Sequence, residues 1–414
     1  MSADSFWLIT GWCLLAVVAF HALPALVWLS FHRLSGVRFH VPAPATWPAV
    51  SIVVAARDEE ARVEEALRGL LSSDYPALDI HFANDRSTDS TAAIADRLAA
   101  EDARLTVLHI AQLPDGWLGK TNAMQQAARQ SQAEWLLFTD GDILIDPAVL
   151  RQVIGYVEAK QLDHFCLLPS METNGWLECV LTSFFAMLFS FGTYPWLRQT
   201  GFPMAYYGVG AFNLVRRSSY ESLGGHERIR MDVMDDVNLG RMLRDHGARA
   251  DALVAGPAVR VRWQDSAWGV IRGLEKNAFA ACRYSVLRLI GFTLIYATLF
   301  FLPVAVLPCL EPAIASGFTA TVVLLAVSFG CISRLFGGHL LVAPWLPLGA
   351  AAVLLAFWRS AWMTLRQGGV NWRETFYPLQ LLRASLYPEA VNRHREPPNP
   401  AGTPDATRRR TPLD

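Results

Sequence analysis

Between residues 50 and 140 the chain alternates two hydrophobic periods. Val50–Ala55 (V-S-I-V-V-A), Leu78–Ala83, Leu105–Ile110 and Trp135–Thr139 are short apolar runs of strand length, rich in β-branched and aromatic residues. Helical spacing fills the gaps: up to Leu71, then over Ser87–Ala99 and Lys120–Arg129. This β-α-β-α-β-α-β order predicts a mainly parallel sheet covered by helices on both faces. Ligands of such sheets bind beyond the C-terminal strand ends. A second pattern flanks this region. Phe6–Phe31, Leu289–Leu310, Pro312–Ser333 and Leu340–Trp358 contain no Asp, Glu, Lys or Arg. Each is about the ~20 residues a helix needs to cross a bilayer. A fifth apolar stretch, Trp176–Leu197, lies inside the polar region and carries Glu178 ahead of Phe184, Phe185 and Phe189. It fits either a buried core helix or a helix resting on the bilayer.

The first run is preceded by Asp4 and no Lys or Arg, and followed by His32, Arg33 and Arg38. That polarity predicts a retained signal anchor with the following domain in the cytosol, in the inner membrane of a cell. The expected organisation is an anchor over 1–34, a cytosolic domain over 35–284 and C-terminal membrane helices over 285–365. An interfacial segment rich in Trp, Tyr and Arg follows over 366–395, then a disordered basic tail over 396–414 ending in Arg408-Arg409-Arg410. One crossing before the domain and three after it would leave the basic tail outside. Either the tail is external or one of the last three runs is re-entrant or interfacial, and Pro312–Ser333, flanked by Pro308, Pro312, Gly337 and Gly338, is the run expected to be so.

Composition agrees: 52% of residues are hydrophobic and 18% charged, below the quarter usual in soluble domains, so the chain is expected to meet a lipid bilayer. With 36 Lys+Arg against 37 Asp+Glu there is no basic excess to track a nucleic acid. Six scattered cysteines lack the spacing of a disulfide framework or zinc site.

Each predicted strand ends in polar residues: Arg57-Asp58, Asn84-Asp85 and Asp140-Gly141-Asp142. Asp140 and Asp142 share one face of an extended chain. Their hard oxygens suit Mg²⁺ or Mn²⁺ held jointly with substrate phosphates. The stretch Asn84–Thr91 reads as a turn and helix cap, and a helix start of this kind also suits a nucleotide. Asp235 and Asp236 open a helical pattern over Asp235–His246, where spacing alone reads as a cap. Lys120, one of three lysines, stands at a helix start and suits a diphosphate or sugar contact. His226 fits a turn. Trp268 and Lys276-Asn277 fit an amphipathic helix packed on the bilayer, or the lining of an acceptor entry. Trp372 and Arg373 fit interfacial anchors, or a gate on the diphosphate.

Taken in order, A-R-D-E-E (Ala56–Glu60), N-D-R-S-T-D-S-T (Asn84–Thr91), G-W-L-G-K-T-N-A-M (Gly116–Met124) and D-G-D resemble the family 2 glycosyltransferases. The similarity continues through G-A-F-N-L-V-R-R (Gly210–Arg217), G-G-H-E-R-I-R (Gly224–Arg230), M-D-D-V-N-L-G (Met234–Gly240) and W-R-E-T-F-Y (Trp372–Tyr377). The membrane-bound branch, with its hopanoid-associated, ceramide and carotenoid glycosyltransferases, looks most similar. The resemblance implies an α/β domain of GT-A type, a Rossmann-like mixed sheet that binds a nucleotide-sugar, with transmembrane helices at both ends. It implies a UDP-linked donor with uracil and ribose near Asp58 and Asp85. Asp140 and Asp142 would hold the metal on the diphosphate, and Asp236, after Asp235, would be the general base. This chain has Asp58 where the family usually has Asn, Gly141 for Ala and Asp235 for Glu. Arg262-Trp263 is the only Arg-Trp pair, and Val259 stands where the Q/R-x-x-R-W motif of processive synthases has Gln or Arg. The expected acceptor is a membrane lipid hydroxyl. The competing readings are a processive polysaccharide synthase and a non-catalytic membrane partner with a vestigial sugar-binding domain.

Overall fold

The computed structural model describes residues 2–37, 44–200 and 202–387. The basic tail over 396–414 and Arg38 lie outside the described residues.

The four runs read from the sequence form β1 (Val50–Ala56), β2 (Leu78–Asp85), β3 (Leu105–Ile110) and β4 (Trp135–Asp140). β1 lies between β2 and β4, parallel to both, with Val54 opposite Phe82 and Thr139. Its alternation feeds two cores. Ile52 and Val54 pack with Phe82 and Leu137 on one face, while Val53 packs with Ala83, Leu136 and Phe138 on the other. A central strand buried on both faces has to be apolar at nearly every position, as this one is.

Four further strands widen the sheet: β5 (Leu144–Ile145), β6 (His164–Met171), β7 (Asn213–Arg216) and β8 (Ala250–Val261). The order is β3-β2-β1-β4-β7-β6-β8-β5. β7 runs antiparallel to both β4 and β6, so the sheet is mixed. The helix expected from Ser87 begins at Thr91, because the residues before it form a loop bound to the end of β1.

Two apolar helices stand side by side. Ala3–Phe31 and Pro312–Leu335 touch through Gly11 and Gly317, where a Cβ on Gly317 would lie 2.6 Å from the Gly11 carbonyl carbon. Trp7 meets Phe318 near their starts. Their ends both rest on the sheet: Val254 N donates to His32 O, and Met171 N donates to Phe336 O, each at 2.8 Å. The two helices therefore run in the same direction. The chain reaches the far end through Val286–Phe300 and Leu302–Cys309, which meet at a 47° bend.

The apolar runs differ in how they meet the domain. The run expected not to cross, Pro312–Ser333, is an unbroken helix of 24 residues, about 36 Å long. Leu340–Gln367 is as long and apolar as a crossing, and both of its ends lie against the α/β domain. Next to its start, Gly338 abuts Cys179 and Ser183. Towards its end, Ser360 accepts from Phe279 N and Arg359 pairs with Glu275. Trp176–Gly192 likewise leaves β6 and returns to β7. Its Phe184 is enclosed by the rings of Tyr296, Phe300 and Phe329, which fits the buried core helix, while Trp176 and Leu177 at its start are exposed.

The stretch after Gln367 turns back to the domain as a hairpin, β9 (Gly369–Trp372) and β10 (Thr375–Pro378). Its two turn residues, Arg373 and Glu374, have φ of +48° and +60°. Two successive left-handed residues are what a tight two-residue hairpin turn requires.

Candidate active site

The acids placed at strand ends from the sequence do gather at the C-terminal edge of β1, β2 and β4. Asp140 ends β4, and its N–H donates to Gly210 O at 3.1 Å. Asp235 and Asp236 open the helix Asp235–Asp245. Gly210 is where the two elements meet: a Cβ there would lie 2.7 Å from Asp140 Oδ2 and 3.3 Å from Asp236 Oδ2. Only a glycine lets both carboxylates approach this closely.

The neighbouring acids have different surroundings. Asp236 is partly exposed and accepts from the backbone N–H of Gly210 at 2.7 Å and of Val237 at 2.8 Å. Asp235 is 4% exposed. Burial pushes its carboxyl up to about 7, opposed by Lys120 and assisted by the charges of Asp236 and Asp140. Lys120 lies between the two elements, 2.8 Å from Asp140 Oδ1 and 3.4 Å from Asp235 Oδ2. Burial works against its charge, but Asp140, Asp235 and Asp236 together hold its pKa well above the usual lysine value. Lys120, expected from the sequence to contact a diphosphate or sugar, is here the internal counter-ion of Asp140 and Asp235.

Asp142 is half-buried beyond the β4 end. Burial first, then the charges of Asp140 and Glu59, push its carboxyl up to about 7, with Arg62 acting the other way. Among the described residues no three His, Cys, Asp or Glu side chains form a ready-made metal site. The donor set nevertheless fits a hard divalent cation. Two carboxylates two residues apart crowd their negative charge, and Asp140 already draws the Lys120 ammonium group to 2.8 Å. Mg²⁺ and Mn²⁺ sites with one or two protein carboxylates complete their shell from phosphate and water.

Asp58 and Asp85 end adjacent strands. Asp58 has φ of +55°, and its Oδ1 accepts from Thr88 N at 2.8 Å, tying β1 to the loop after β2. Asp85 is clasped by the Arg86 guanidinium at 2.8 and 2.9 Å. Gly119 packs directly on that pair, and a side chain there would collide with the Asp85 carboxylate. His226 is buried, hydrogen-bonded to Tyr220 OH at 2.8 Å, and pushed down to about 3 by burial and by Lys120. It belongs to the core.

Several groups around the site came from parts of the sequence read mainly as membrane surface. The Lys276 ammonium sits 3.8 Å above the centroid of the Trp372 ring. Burial, then Lys120, lowers its pKa to about 8, while Asp140 and Asp235 act in the opposite direction. Arg373 donates to Arg57 O at 2.5 Å and pairs with Glu59. Tyr377 OH accepts from Gly119 N at 3.2 Å. The hairpin thus covers the strand ends with cationic and aromatic groups. The available signal was W-R-E-T-F-Y itself, a polar turn between aromatic residues just beyond an apolar helix.

The family model for glycosyl transferase family 2 matches residues 51–224, the segment that supplies β1 through β7. The β-monoglucosyldiacylglycerol synthase of Synechocystis sp. is 32% identical over 112 residues, 27% of this chain and 23% of that protein. The 4,4'-diaponeurosporenoate glycosyltransferase of Staphylococcus aureus is 25% identical over 195 residues, 46% of this chain and 50% of that one. The chain spans half or less of the length of these curated relatives. Among solved structures, a mannosyltransferase of Pyrobaculum calidifontis in complex with GDP-mannose and Mn²⁺ aligns with a TM-score of 0.42 at 19% identity. That alignment covers 86% of this chain and 91% of that one.

Proposed function

From the match of residues 51–224 to the glycosyl transferase family 2 model, we propose that the chain is a membrane-bound, metal-dependent, inverting glycosyltransferase. It moves a sugar from a UDP-linked donor to the hydroxyl of a membrane lipid. The observation that carries this reading is the convergence of Asp140, Asp235 and Asp236 around Lys120, at the ligand-binding edge of a sheet seated on apolar helices.

Sugar transfer needs a deprotonated acceptor hydroxyl, a stabilised diphosphate leaving group and little water. Asp236 is the accessible acid, and two backbone N–H groups fix its orientation. It takes the acceptor proton as the oxygen attacks the anomeric carbon. The bond from that carbon to the diphosphate breaks on the opposite face, which inverts the centre and releases the nucleoside diphosphate. Asp235, too buried to meet the acceptor, holds Lys120 in place. Asp140 and Asp142 would hold a divalent cation, whose chemistry when bound would be to neutralise charge on the departing phosphates. Lys276 and Arg373 close over the same phosphates from the hairpin side, and Asp58 and Asp85 border the nucleoside end.

A lipid acceptor is supported by the way the domain is mounted. The relatives named for diacylglycerol and carotenoid sugar transfer are consistent with it. Trp176, Trp268, Trp345, Trp358 and Trp362 are all exposed on the apolar helices, in the manner of the aromatic belt at a headgroup layer. In the proposed topology Ala3–Phe31, Val286–Cys309 and Pro312–Leu335 cross the membrane, and Leu340–Gln367 lies along the domain. Three crossings with the N-terminus outside keep both the domain and the hairpin in the cytosol. The test is purified full-length protein in detergent with UDP-sugars, Mn²⁺ and a membrane lipid extract. The proposal expects a glycolipid and free UDP in equal amounts; products that stay water-soluble would contradict the lipid acceptor.

A further inference from the structure

On the other side of the loop that holds Asp236 there is a second, basic cavity of about 420 Å³. Its lining includes Lys160, Arg198, Arg244 and Arg249, with Asp251 as the acid among them and Tyr207 on one wall. Arg198 is a buried cation, its side chain 7% exposed. One of its terminal nitrogens serves Asp251 and Tyr207 OH, but its Nε has no partner among the described residues, and neither has the Nε of Arg244. Buried guanidinium N–H groups left unbonded are costly and rare. Asp251 balances Arg198 and Asp245 balances Arg244, so Lys160 and Arg249 remain as two positive charges in excess. With the two unsatisfied donors they describe a place for a bidentate oxyanion, which Arg recognises by its planar fork.

We propose that this cavity binds a phosphate group, and that the group is the head of an anionic membrane lipid. The wall formed by Arg198, Ala205, Tyr206 and Tyr207 begins four residues after Tyr194, whose hydroxyl lies 3.1 Å from Nε2 of His21 on the anchor helix. Met204 on the same segment is exposed. The cavity therefore adjoins the membrane-facing side of the domain. It also adjoins the active site: Tyr207 leads into the loop whose Gly210 N–H bonds Asp236, and Gly240 of the Asp236 helix packs directly on the Tyr207 carbonyl. A phosphate bound to Arg198 would fix Tyr207, and with it the loop that orients the base.

The test measures binding, so it stands apart from sugar transfer. The melting midpoint of the full-length protein is followed as phosphatidylglycerol is titrated into neutral detergent micelles, with phosphatidylcholine and inorganic phosphate as parallel arms. Lys160 is exposed at the rim and has no ion pair among the described residues, so Lys160→Glu spares the fold; Arg129→Gln, exposed and outside the cavity lining, is the control. Phosphatidylglycerol is expected to raise the midpoint where phosphatidylcholine does not. Lys160→Glu should weaken the half-saturating concentration about tenfold, the size of one charged contact, and the control should not move it. A rise with inorganic phosphate alone that depends on Lys160 would keep the phosphate site and overturn the lipid occupant. A rise indifferent to Lys160→Glu, or none in any arm, would overturn the site.

Discussion

Asp235 and Asp236 are neighbours in sequence with opposite surroundings, and their variants should differ accordingly. Asp236→Asn keeps the shape and removes the proton acceptor. Turnover should fall about 10²–10⁴-fold, the usual worth of a general base, with UDP affinity little changed by calorimetry. Lys276 gives a pH dependence. With a pKa near 8 against an ordinary 10.5, it is charged below pH 8 and neutral above. UDP affinity should therefore drop as pH rises from about 7 to 9, and Lys276→Arg should abolish that drop. Folding runs the other way: between pH 8 and 10.5 the unfolded chain binds the proton that the folded one has shed, so stability rises with pH there. Opposite slopes for binding and melting identify this lysine as the titrating group.

At the scale of elements, the loop–helix junction at Gly119 and the hairpin Gly369–Pro378 act together. Gly119→Ala forces a methyl group against the Asp85–Arg86 pair, which must move. Nucleotide affinity should fall at least about tenfold, whereas Tyr377→Phe, which removes one hydrogen bond to Gly119 N, should cost about 1 kcal/mol of stability. The first half of the sheet was legible because each strand of β1 to β4 is a local apolar run between helices. β6, β7 and β8 were not: they are set by pairings such as Leu137 with Leu214, across more than seventy residues, and β8 shifts register near Gly256. The site divides the same way. Asp140, Asp142, Asp235 and Asp236 stand at element ends and could be read, but Lys276 reaches them only by a chain path through two other elements. Nothing local to W-G-V-I-R-G-L-E-K-N tells a lysine above Trp372 from one above a bilayer.

At the scale of the whole molecule, the account depends on which apolar helices cross. The residue pattern does not decide, because Pro312–Leu335 and Leu340–Gln367 are alike in length and hydropathy, and the proposed topology rests on their contacts with the domain. In sealed cells whose protein keeps Cys309 as its sole cysteine, an impermeant maleimide should label it from outside. With Glu374→Cys as the sole cysteine, labelling should require permeabilisation. The most direct test of the central claim, that strand-end acids clasp a cation together with a nucleotide diphosphate, is UDP binding by calorimetry with and without Mn²⁺. The account predicts that the full-length protein binds UDP only weakly once the metal is chelated, and that Asp140→Asn and Asp142→Asn bind it weakly even with Mn²⁺ present. Equal affinity in all four cases would contradict it.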